Sequence, residues 1–273
     1  MKKILLLFVL VFSISSFSQK KITDTIYSKK LNEKREIFIS LPPSYEKNKS
    51  QKYPLLVLLD GDFLFSAFNG ALSYGYYWDD LPEVIIVAIN QNNTRENDCA
   101  VNAETGLPEE KGTSFFEFIG MELIPQMEKN YRLAPFRIVS GLDVTAGFLN
   151  LYLYKDLPVF NAYISFSPEL PAEMEKNLPE RLAAIQQPIF YYHCTADGDL
   201  KKMRNKILAM DAEIKKINKP TLNYKFEDFK DASHYSVVLH AIPSALYQIF
   251  SVYQPISMTE FQEKIVKLPQ GYA

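Results

Sequence analysis

The fold of this chain is indicated by one stretch, Arg137-Ile138-Val139-Ser140-Gly141-Leu142-Asp143-Val144-Thr145-Ala146-Gly147-Phe148. Its first residues form the apolar run of a short buried strand, and a helical pattern follows as far as Leu153. Between the two, Gly141 and Asp143 are residue types that favour a sharp turn. The stretch therefore predicts a strand, a turn and a helix in immediate succession.

Apolar runs bounded by turn residues recur along the rest of the chain, and helical patterns separate most of them. The runs predict strands at 36–41, 53–59, 83–90, 162–166, 189–194 and 222–226. The first of these ends at Pro42-Pro43, and we interpret it as an edge strand. Strands that alternate with helices imply right-handed crossovers. The expected fold class is therefore α/β, with a mostly parallel central sheet flanked by helices.

Three helices are predicted from amphipathic spacing. Ser114-Phe115-Phe116-Glu117 has the pattern of a capping box, which predicts a helix that opens there and continues through Met127. Two further helices are predicted at 199–217 and 235–253. The aromatic-rich segment 63–78 has no clean period, and the polar stretch 91–111 indicates a long loop.

Length and composition are those of an ordinary globular protein. With 273 residues, of which 47% are apolar and 23% charged, the chain can bury a large core and belongs to neither the disordered nor the fibrous classes. It has no internal repeat and no domain break, so we expect one domain over residues 19–273. No basic run is present, and we expect no nucleic-acid partner.

Residues 1–18 have the composition of a signal peptide. A positive start, the apolar run 4–14 and the small residues of 16–18 precede a cleavage site before Gln19. The run is shorter than the roughly 20 residues that a membrane span needs. We therefore expect a periplasmic or secreted protein that is not inserted in a membrane after cleavage.

Two cysteines, Cys99 and Cys194, lie far apart in the sequence. Export permits a disulfide, but two distant cysteines are not a disulfide framework. Two separate, partly buried thiols are the favoured interpretation.

Five motifs follow one another in an order typical of one protein family. They are Leu58-Leu59-Asp60-Gly61, the stretch 89–98 with Arg95 and Asp98, the stretch 118–132, the turn around Asp143, and Ala232-Ser233-His234-Tyr235-Ser236-Val237. On these motifs the chain resembles the esterase D and enterochelin-esterase-like branch of the α/β-hydrolases. The resemblance runs from about Tyr27 to Phe250 and implies the α/β-hydrolase fold.

The resemblance also implies where the site residues lie. The family's catalytic order is serine, acid, histidine. His234 falls on the family histidine, and the acid is expected at Asp197 or Asp199, with the spacing favouring Asp199. An oxyanion hole is expected from the backbone N–H groups of Asp62 and Val144.

The family turn has the pattern G-x-S-x-G, and this chain departs from it at two central positions. Gly141 is kept, but Asp143 stands at the serine position and Thr145 at the second glycine position. A carboxylate that attacked an ester would form a mixed anhydride, which is more reactive than the ester itself. A β-branched residue at position 145 is also expected to relax or displace the turn. Serine-esterase activity is therefore expected to be absent or weak.

Each candidate residue has two interpretations at this stage. Asp143 is either a nucleophile or the N-cap of the following helix. His234 is either a general base or a residue kept in a pair with Asp199, and Asp199 either orients that histidine or caps a helix. If Asp143 faces His234, the carboxylate should raise the pKa of the histidine.

The function expected from these observations is that of a degenerate esterase. Its old cleft, at the carboxyl ends of the strands, would bind a small-molecule or protein ligand, with no cofactor and no metal. The alternative is an active hydrolase that uses Asp143, His234 and Asp199 as a triad, or a water activated by His234.

Overall fold

Eight strands form one sheet in the computed structural model, which describes residues 21–254 and 256–268. The strands are β1 (Lys21–Ser28), β2 (Glu33–Ser40), β3 (Tyr53–Leu58), β4 (Ile85–Ile89), β5 (Leu133–Leu142), β6 (Ala162–Phe166), β7 (Ile189–Ala196) and β8 (Leu222–Phe229). Their order across the sheet is β1-β2-β4-β3-β5-β6-β7-β8. Only β1 with β2 and β2 with β4 pair antiparallel, and every other pair is parallel. The predicted fold class is confirmed.

The helices lie in the crossovers between strands and in the C-terminal segment. They are α1 (Gly61–Tyr77), α2 (Arg95–Asp98), α3 (Glu110–Phe118), α4 (Ile124–Asn130), α5 (Val144–Leu149), α6 (Met174–Ala184), α7 (Lys201–Ile214), α8 (Val237–Ile249) and α9 (Met258–Glu260). A π-helical turn at Ile119–Leu123 joins α3 to α4, and a 3-10 turn at Asn150–Tyr154 extends α5. None of the helices in the described ranges is long and apolar enough to span a membrane.

The core lies in two layers, one on each face of the sheet. In β3 and just after it, Leu55, Val57 and Leu59 pack into one layer, and Leu56 and Leu58 pack into the other. This alternation follows from the pleat, which turns successive side chains to opposite faces. A strand covered on both faces needs apolar residues at every position, which explains the uninterrupted run that predicted it.

The parallel strands bring the candidate residues to one edge of the sheet. Asp60 follows β3, Asp143 follows β5 and Asp199 follows β7, while His234 precedes α8. Because parallel strands end at the same edge, residues more than 170 positions apart in sequence meet there.

The sequence did not predict helix α1, and some of its predictions of individual elements are wrong. The segment 63–78 lies almost entirely in α1, whose buried positions include Leu64, Phe68 and Leu72. The capping-box prediction fails because the helix begins four residues earlier, at Glu110, so that Ser114 lies inside it. Strand β2 is not at the edge, since β1 lies outside it.

Other predictions fall on helix ends or outside the described residues. The helices predicted at 199–217 and 235–253 are shorter, at Lys201–Ile214 and Val237–Ile249. The two cysteines are free and buried. The predicted signal peptide, residues 1–18, lies outside the part of the chain that the structure describes.

Candidate active site

The turn between β5 and α5 holds Asp143 in a strained backbone conformation. Its φ and ψ are 61° and −120°. Residues other than glycine rarely adopt these angles, and doing so costs on the order of 1–3 kcal/mol. The chain then turns sharply enough for Gly147 to lie against another loop, since an added Cβ there would be 1.9 Å from the carbonyl oxygen of Glu169. The strand, the sharp turn and the helix expected from the sequence are all present.

Thr145 does not relax this turn, so the expectation that it would is wrong. Its hydroxyl donates to Oδ2 of Asp60 at 2.5 Å and accepts from the backbone N–H of Leu142 at 3.0 Å. Room for the side chain comes from Gly141, where an added Cβ would lie 2.6 Å from the Thr145 hydroxyl oxygen. Thr145 therefore fastens the turn to the end of β3 instead of displacing it.

His234 lies beside a buried carboxylate. Its Nδ1 is 2.7 Å from Oδ1 of Asp199, whose side chain is fully buried. The other oxygen of Asp199 accepts hydrogen bonds from Thr195 at 2.6 Å, from Ser167 at 2.8 Å and from the backbone N–H of Ala196 at 2.9 Å. This set of donors fixes the carboxylate and through it the orientation of the imidazole.

Of the two candidate acids, Asp199 faces the histidine and Asp197 faces away. Asp197 is 49% exposed, and its carboxylate lies 3.6 Å from Arg204 and 3.9 Å from Lys230. Asp199 also does not cap the following helix, because the residue at the N-cap of α7 is Leu200.

The acid and the histidine shift each other's pKa in opposite directions. The hydrogen bond to Asp199 raises the pKa of His234; burial opposes this, the charge of Asp143 adds to it, and the charge of Arg95 opposes it. Burial alone would raise the pKa of Asp199, but the hydrogen bonds from His234 and Thr195 outweigh it and lower that pKa. Both shifts favour the charged pair.

The carboxylate of Asp143 lies between a guanidinium and an imidazole. Its Oδ1 is 4.0 Å from Nε2 of His234, and its Oδ2 is 3.3 Å from Nη1 of Arg95. Asp143 is at the N-cap position of α5, but its side chain makes no capping hydrogen bond. The interpretation of this residue as a helix cap is therefore not what the structure shows.

Arg95 is a part of this site that the sequence did not identify as functional. From α2 it reaches Oδ1 of Asp60 through Nε at 2.7 Å and the carbonyl oxygen of Leu142 through Nη2 at 2.6 Å. Burial alone would lower the pKa of Arg95, but Asp60 and Asp143 together raise it. Its guanidinium thus joins the fully buried Asp60 to the carboxylate at the turn. Arg95 and Asp60 stood in two of the five motifs, but nothing there linked them to Asp143.

The two residues expected to form an oxyanion hole lie at helix starts. Asp62 is in the first turn of α1 and Val144 is the first residue of α5, both at the edge that carries Asp143. The first N–H groups of a helix have no partner within it and are free to face a ligand. The sequence expectation for these two positions is compatible with where they lie.

A cavity of about 530 Å³ opens in front of Asp143 and His234. Buried Leu170 and half-buried Met203 form part of its wall, while Leu200 and Tyr235, 76% and 78% exposed, form part of its rim. Among the described residues that line it, none comes from the aromatic segment 63–78. Phe65 and Phe68 of that segment are buried, and Tyr74, Tyr77 and Trp78 are exposed elsewhere.

The described residues contain no group of three or more His, Cys, Asp or Glu side chains arranged to hold a metal ion. The side chains of Arg95, Asp143 and His234 have polar partners within the protein. What the arrangement offers chemically is a carboxylate, an imidazole and a guanidinium around one strained turn, beside an open cavity.

Comparison with known proteins shows the family. Residues 28–199 match the model of the Esterase family, described as "Putative esterase", and the chain belongs to that family. No protein in the curated set that was compared matches the chain.

Solved structures agree on the fold. A protein of uncharacterised function from Capnocytophaga ochracea is 29% identical with a TM-score of 0.86, and the match covers 92% of this chain and 70% of that one. An IroE-like serine hydrolase from Shewanella oneidensis is 21% identical with a TM-score of 0.76, over 85% and 80% of the two chains. The enterobactin esterase FES from Shigella flexneri is 17% identical with a TM-score of 0.65, over 85% and 59%.

Proposed function

We propose that this protein is an esterase-family member in which aspartate replaces the nucleophilic serine and in which the cleft binds a ligand without hydrolysing esters. The observation that supports this most strongly is the position of the Asp143 carboxylate between Arg95 and His234. A carboxylate held beside a guanidinium and an imidazole is part of a polar network that stabilises its negative charge. Such stabilisation makes it a poorer nucleophile.

The chemistry of the turn supports the same proposal. Attack by the Asp143 carboxylate on an ester would transfer the acyl group to a carboxylate oxygen and release an alkoxide or alcohol. The product is an acid anhydride, which lies above the ester in energy, so no stable acyl-enzyme would form. Arg95 and protonated His234 would lower the nucleophilicity of the carboxylate further, because they stabilise its negative charge.

The group that His234 faces does not suit a serine-esterase mechanism. A general base takes a proton from its nucleophile. The hydrogen bond to Asp199 raises the pKa of His234, and the charge of Asp143 adds to this shift where a serine would not. Asp143 has no hydroxyl proton to give, so the pair would form an ion pair and not a nucleophile with its base.

Ligand binding is supported by the cavity. Its volume of about 530 Å³ is within the range of roughly 300–1,000 Å³ that is common for small-molecule sites. Two lysines and one carboxylate add further charge to its lining, at Lys202, Lys206 and Glu169. Tyr235 and Leu200 add exposed apolar surface. A small molecule with both polar and apolar groups fits this lining, and the open rim would also admit a segment of a partner protein.

An active hydrolase is the second candidate, and the retained geometry of the turn favours it. The strained backbone of Asp143 and the fixed pair of Asp199 with His234 are what a working site keeps. Such an enzyme would use Asp143, His234 and Asp199 as a triad, or a water activated by His234.

Hydrolysis of p-nitrophenyl acetate and butyrate separates the two candidates. The native protein, Asp143→Ala and His234→Ala are compared with Asp197→Ala, a neighbouring carboxylate that faces solvent, as the matched control. We expect all four to give similar rates near the uncatalysed background. Robust turnover that is lost in Asp143→Ala and His234→Ala but kept in Asp197→Ala would contradict the proposal and establish an aspartate-dependent hydrolase.

We propose in addition that the protein is exported. Support comes from the positive start, the apolar run 4–14 and the small residues at 16–18. N-terminal sequencing of the protein from the periplasmic or culture fraction should begin near Gln19. Retention of Met1 or Lys2 on most of the protein would contradict export by this route.

A further inference from the structure

A second cavity, of about 450 Å³, lies on the helical layer next to the π-helical turn. It shares no lining residue with the cleft cavity in front of Asp143. Its wall is mostly apolar and is contributed by the 102–108 loop, the helix 110–130 and the 3-10 turn after α5. The apolar residues are Leu107, Pro108, Phe116, Met121, Leu151 and Val159.

The open space depends on a glycine in the widened part of the helix. Gly120 is the second residue of the π-helical turn, and an added Cβ there would meet nothing closer than Cε1 of Tyr152 at 3.9 Å. A larger side chain at this position would therefore grow into the cavity. π-Helical turns within α-helices are rare and occur often at functional sites.

Two polar side chains along the wall are already satisfied within the protein. The hydroxyl of Tyr152 donates to the carbonyl oxygen of Phe116 at 2.7 Å, and its ring stacks on the Phe116 ring at 4.0 Å. The hydroxyl of Thr113 donates to the carbonyl oxygen of Pro108 at 2.9 Å. Since these donors are engaged, this part of the wall is suited to the apolar part of a ligand.

The charged residues at the cavity leave a positive charge unmatched. Glu117 pairs with Lys30 at 2.8 Å. Lys155 is exposed, with Nζ 6.0 Å from the centre of the Phe116 ring, and it pairs with no carboxylate of residues 21–254 or 256–268. An anionic group on a ligand would complete this pair.

We propose that this cavity binds a small amphipathic carboxylate, with its apolar chain or ring against Phe116 and Leu151 and its carboxylate at Lys155. The cavity volume is within the range of small-molecule sites. This site is separate from the cleft at Asp143, and its existence does not depend on whether the cleft binds or hydrolyses anything.

Calorimetric titration of the whole protein with decanoate, below its micelle-forming concentration, tests the site. We expect saturable binding with one site per chain and no binding of decyltrimethylammonium, which carries the opposite charge. Gly120→Leu should weaken decanoate binding about tenfold or more, since it fills the cavity. Lys155→Gln should weaken it about fivefold, as for an exposed ion pair, and leave 1-decanol binding unchanged.

Three further variants keep the test decisive if Gly120→Leu fails to fold. Met121 is 61% exposed at the cavity, so Met121→Asp should leave folding intact and weaken decanoate more than 1-decanol. Leu239→Asp, at an exposed position of α8 that lines neither cavity, is the matched control and should change neither. Absence of decanoate binding, or binding that Leu200→Asp at the rim of the cleft abolishes and Met121→Asp leaves intact, would overturn the proposal.

Discussion

The two halves of the candidate site differ in how they relate to a serine hydrolase. The half that carries Asp199 and His234 keeps an acid and a histidine at 2.7 Å, with the acid fully buried and its other oxygen satisfied by three donors. The half that carries Asp143 has a strained turn with a carboxylate beside the guanidinium of Arg95. We call the first the acid–histidine half and the second the Asp143 half.

The polar groups of the Asp143 half are connected to one another. Thr145 donates to Asp60, Asp60 pairs with Arg95, and Arg95 reaches both Asp143 and the carbonyl oxygen of Leu142. Burying the Asp60 carboxylate or the Thr145 hydroxyl without a partner would be unfavourable. Here each of them is hydrogen-bonded. The carboxylate at position 143 is therefore part of a connected set of polar groups and does not stand alone.

The largest effect is expected when the Asp143 half loses Arg95. Arg95→Met removes the partner of Asp60, whose side chain is fully buried, and leaving such a charge unpaired should destabilise the fold by about 3–5 kcal/mol. Arg204→Met, which breaks the Arg204–Asp228 pair nearer the surface, is the control and should cost about 1 kcal/mol or less. Urea denaturation measures both. Similar losses in the two variants would show that Arg95 has no special role.

The next effect tests whether the acid–histidine half supports catalysis when a serine is placed at position 143. Asp143→Ser keeps the turn, because Thr145 and Gly141 already fit it, and removes a charge that raises the pKa of His234. Hydrolysis of p-nitrophenyl butyrate should rise by about 10²-fold or more over the native protein, in line with general-base catalysis. The gain should vanish in Asp143→Ser with His234→Ala. No gain would mean that Asp199 and His234, as they are placed, do not support ester hydrolysis.

A smaller effect is expected from the hydroxyl that fastens the turn. Thr145→Val keeps the shape of the side chain but removes the donor to Asp60 and the acceptor for Leu142. Unfolding free energy should fall by about 1–3 kcal/mol, the usual cost of unsatisfied buried groups. Thr145→Ser keeps the hydroxyl and should lose less. If Thr145→Ser loses as much as Thr145→Val in the same denaturation experiment, packing of the methyl group decides and the hydrogen bonds do not.

The smallest effect is on the pH dependence of stability, and it comes from the acid–histidine half. The folded-state pKa of His234 is raised, so its contribution is fully present below the unfolded value of about 6.5 and is lost as pH rises through the folded value. The folded-state pKa of Asp199 is lowered, so its contribution is present above the unfolded value of about 3.9 and is lost as pH falls through the folded value.

The pair should therefore stabilise the fold most between these two unfolded values. The measurement is the unfolding free energy of the native protein and of His234→Gln from acid to mildly alkaline pH. The difference between the two should narrow as pH rises above neutrality. A difference that does not change across that range would contradict the raised pKa of His234.

The sequence by itself determined the sheet and the place of the site within it. Uninterrupted apolar runs such as 53–59 can be accommodated only where a strand is covered on both faces, so they predicted a parallel sheet. Because parallel strands end at one edge, residues that follow β5 and β7 had to meet, and Asp143, Asp199 and His234 do lie together. The helix 61–77 was missed because exposed aromatics such as Tyr74 and Tyr77 mask the period of its buried face.

Only the tertiary structure decided which polar groups pair at that edge. Asp197 and Asp199 differ by two positions, and the direction of the turn after β7 makes one exposed and the other fully buried against His234. Arg95 reaches Asp143 across 48 positions of sequence, a contact that depends on how the 91–98 segment folds back. The shape of Thr145 alone predicted a disturbed turn, but the buried carboxylate of Asp60, just after β3, gives its hydroxyl a partner. Local sequence determines the size and the conformational preference of each residue. These polar pairings depend instead on which residues, distant in sequence, are buried next to one another in the protein interior.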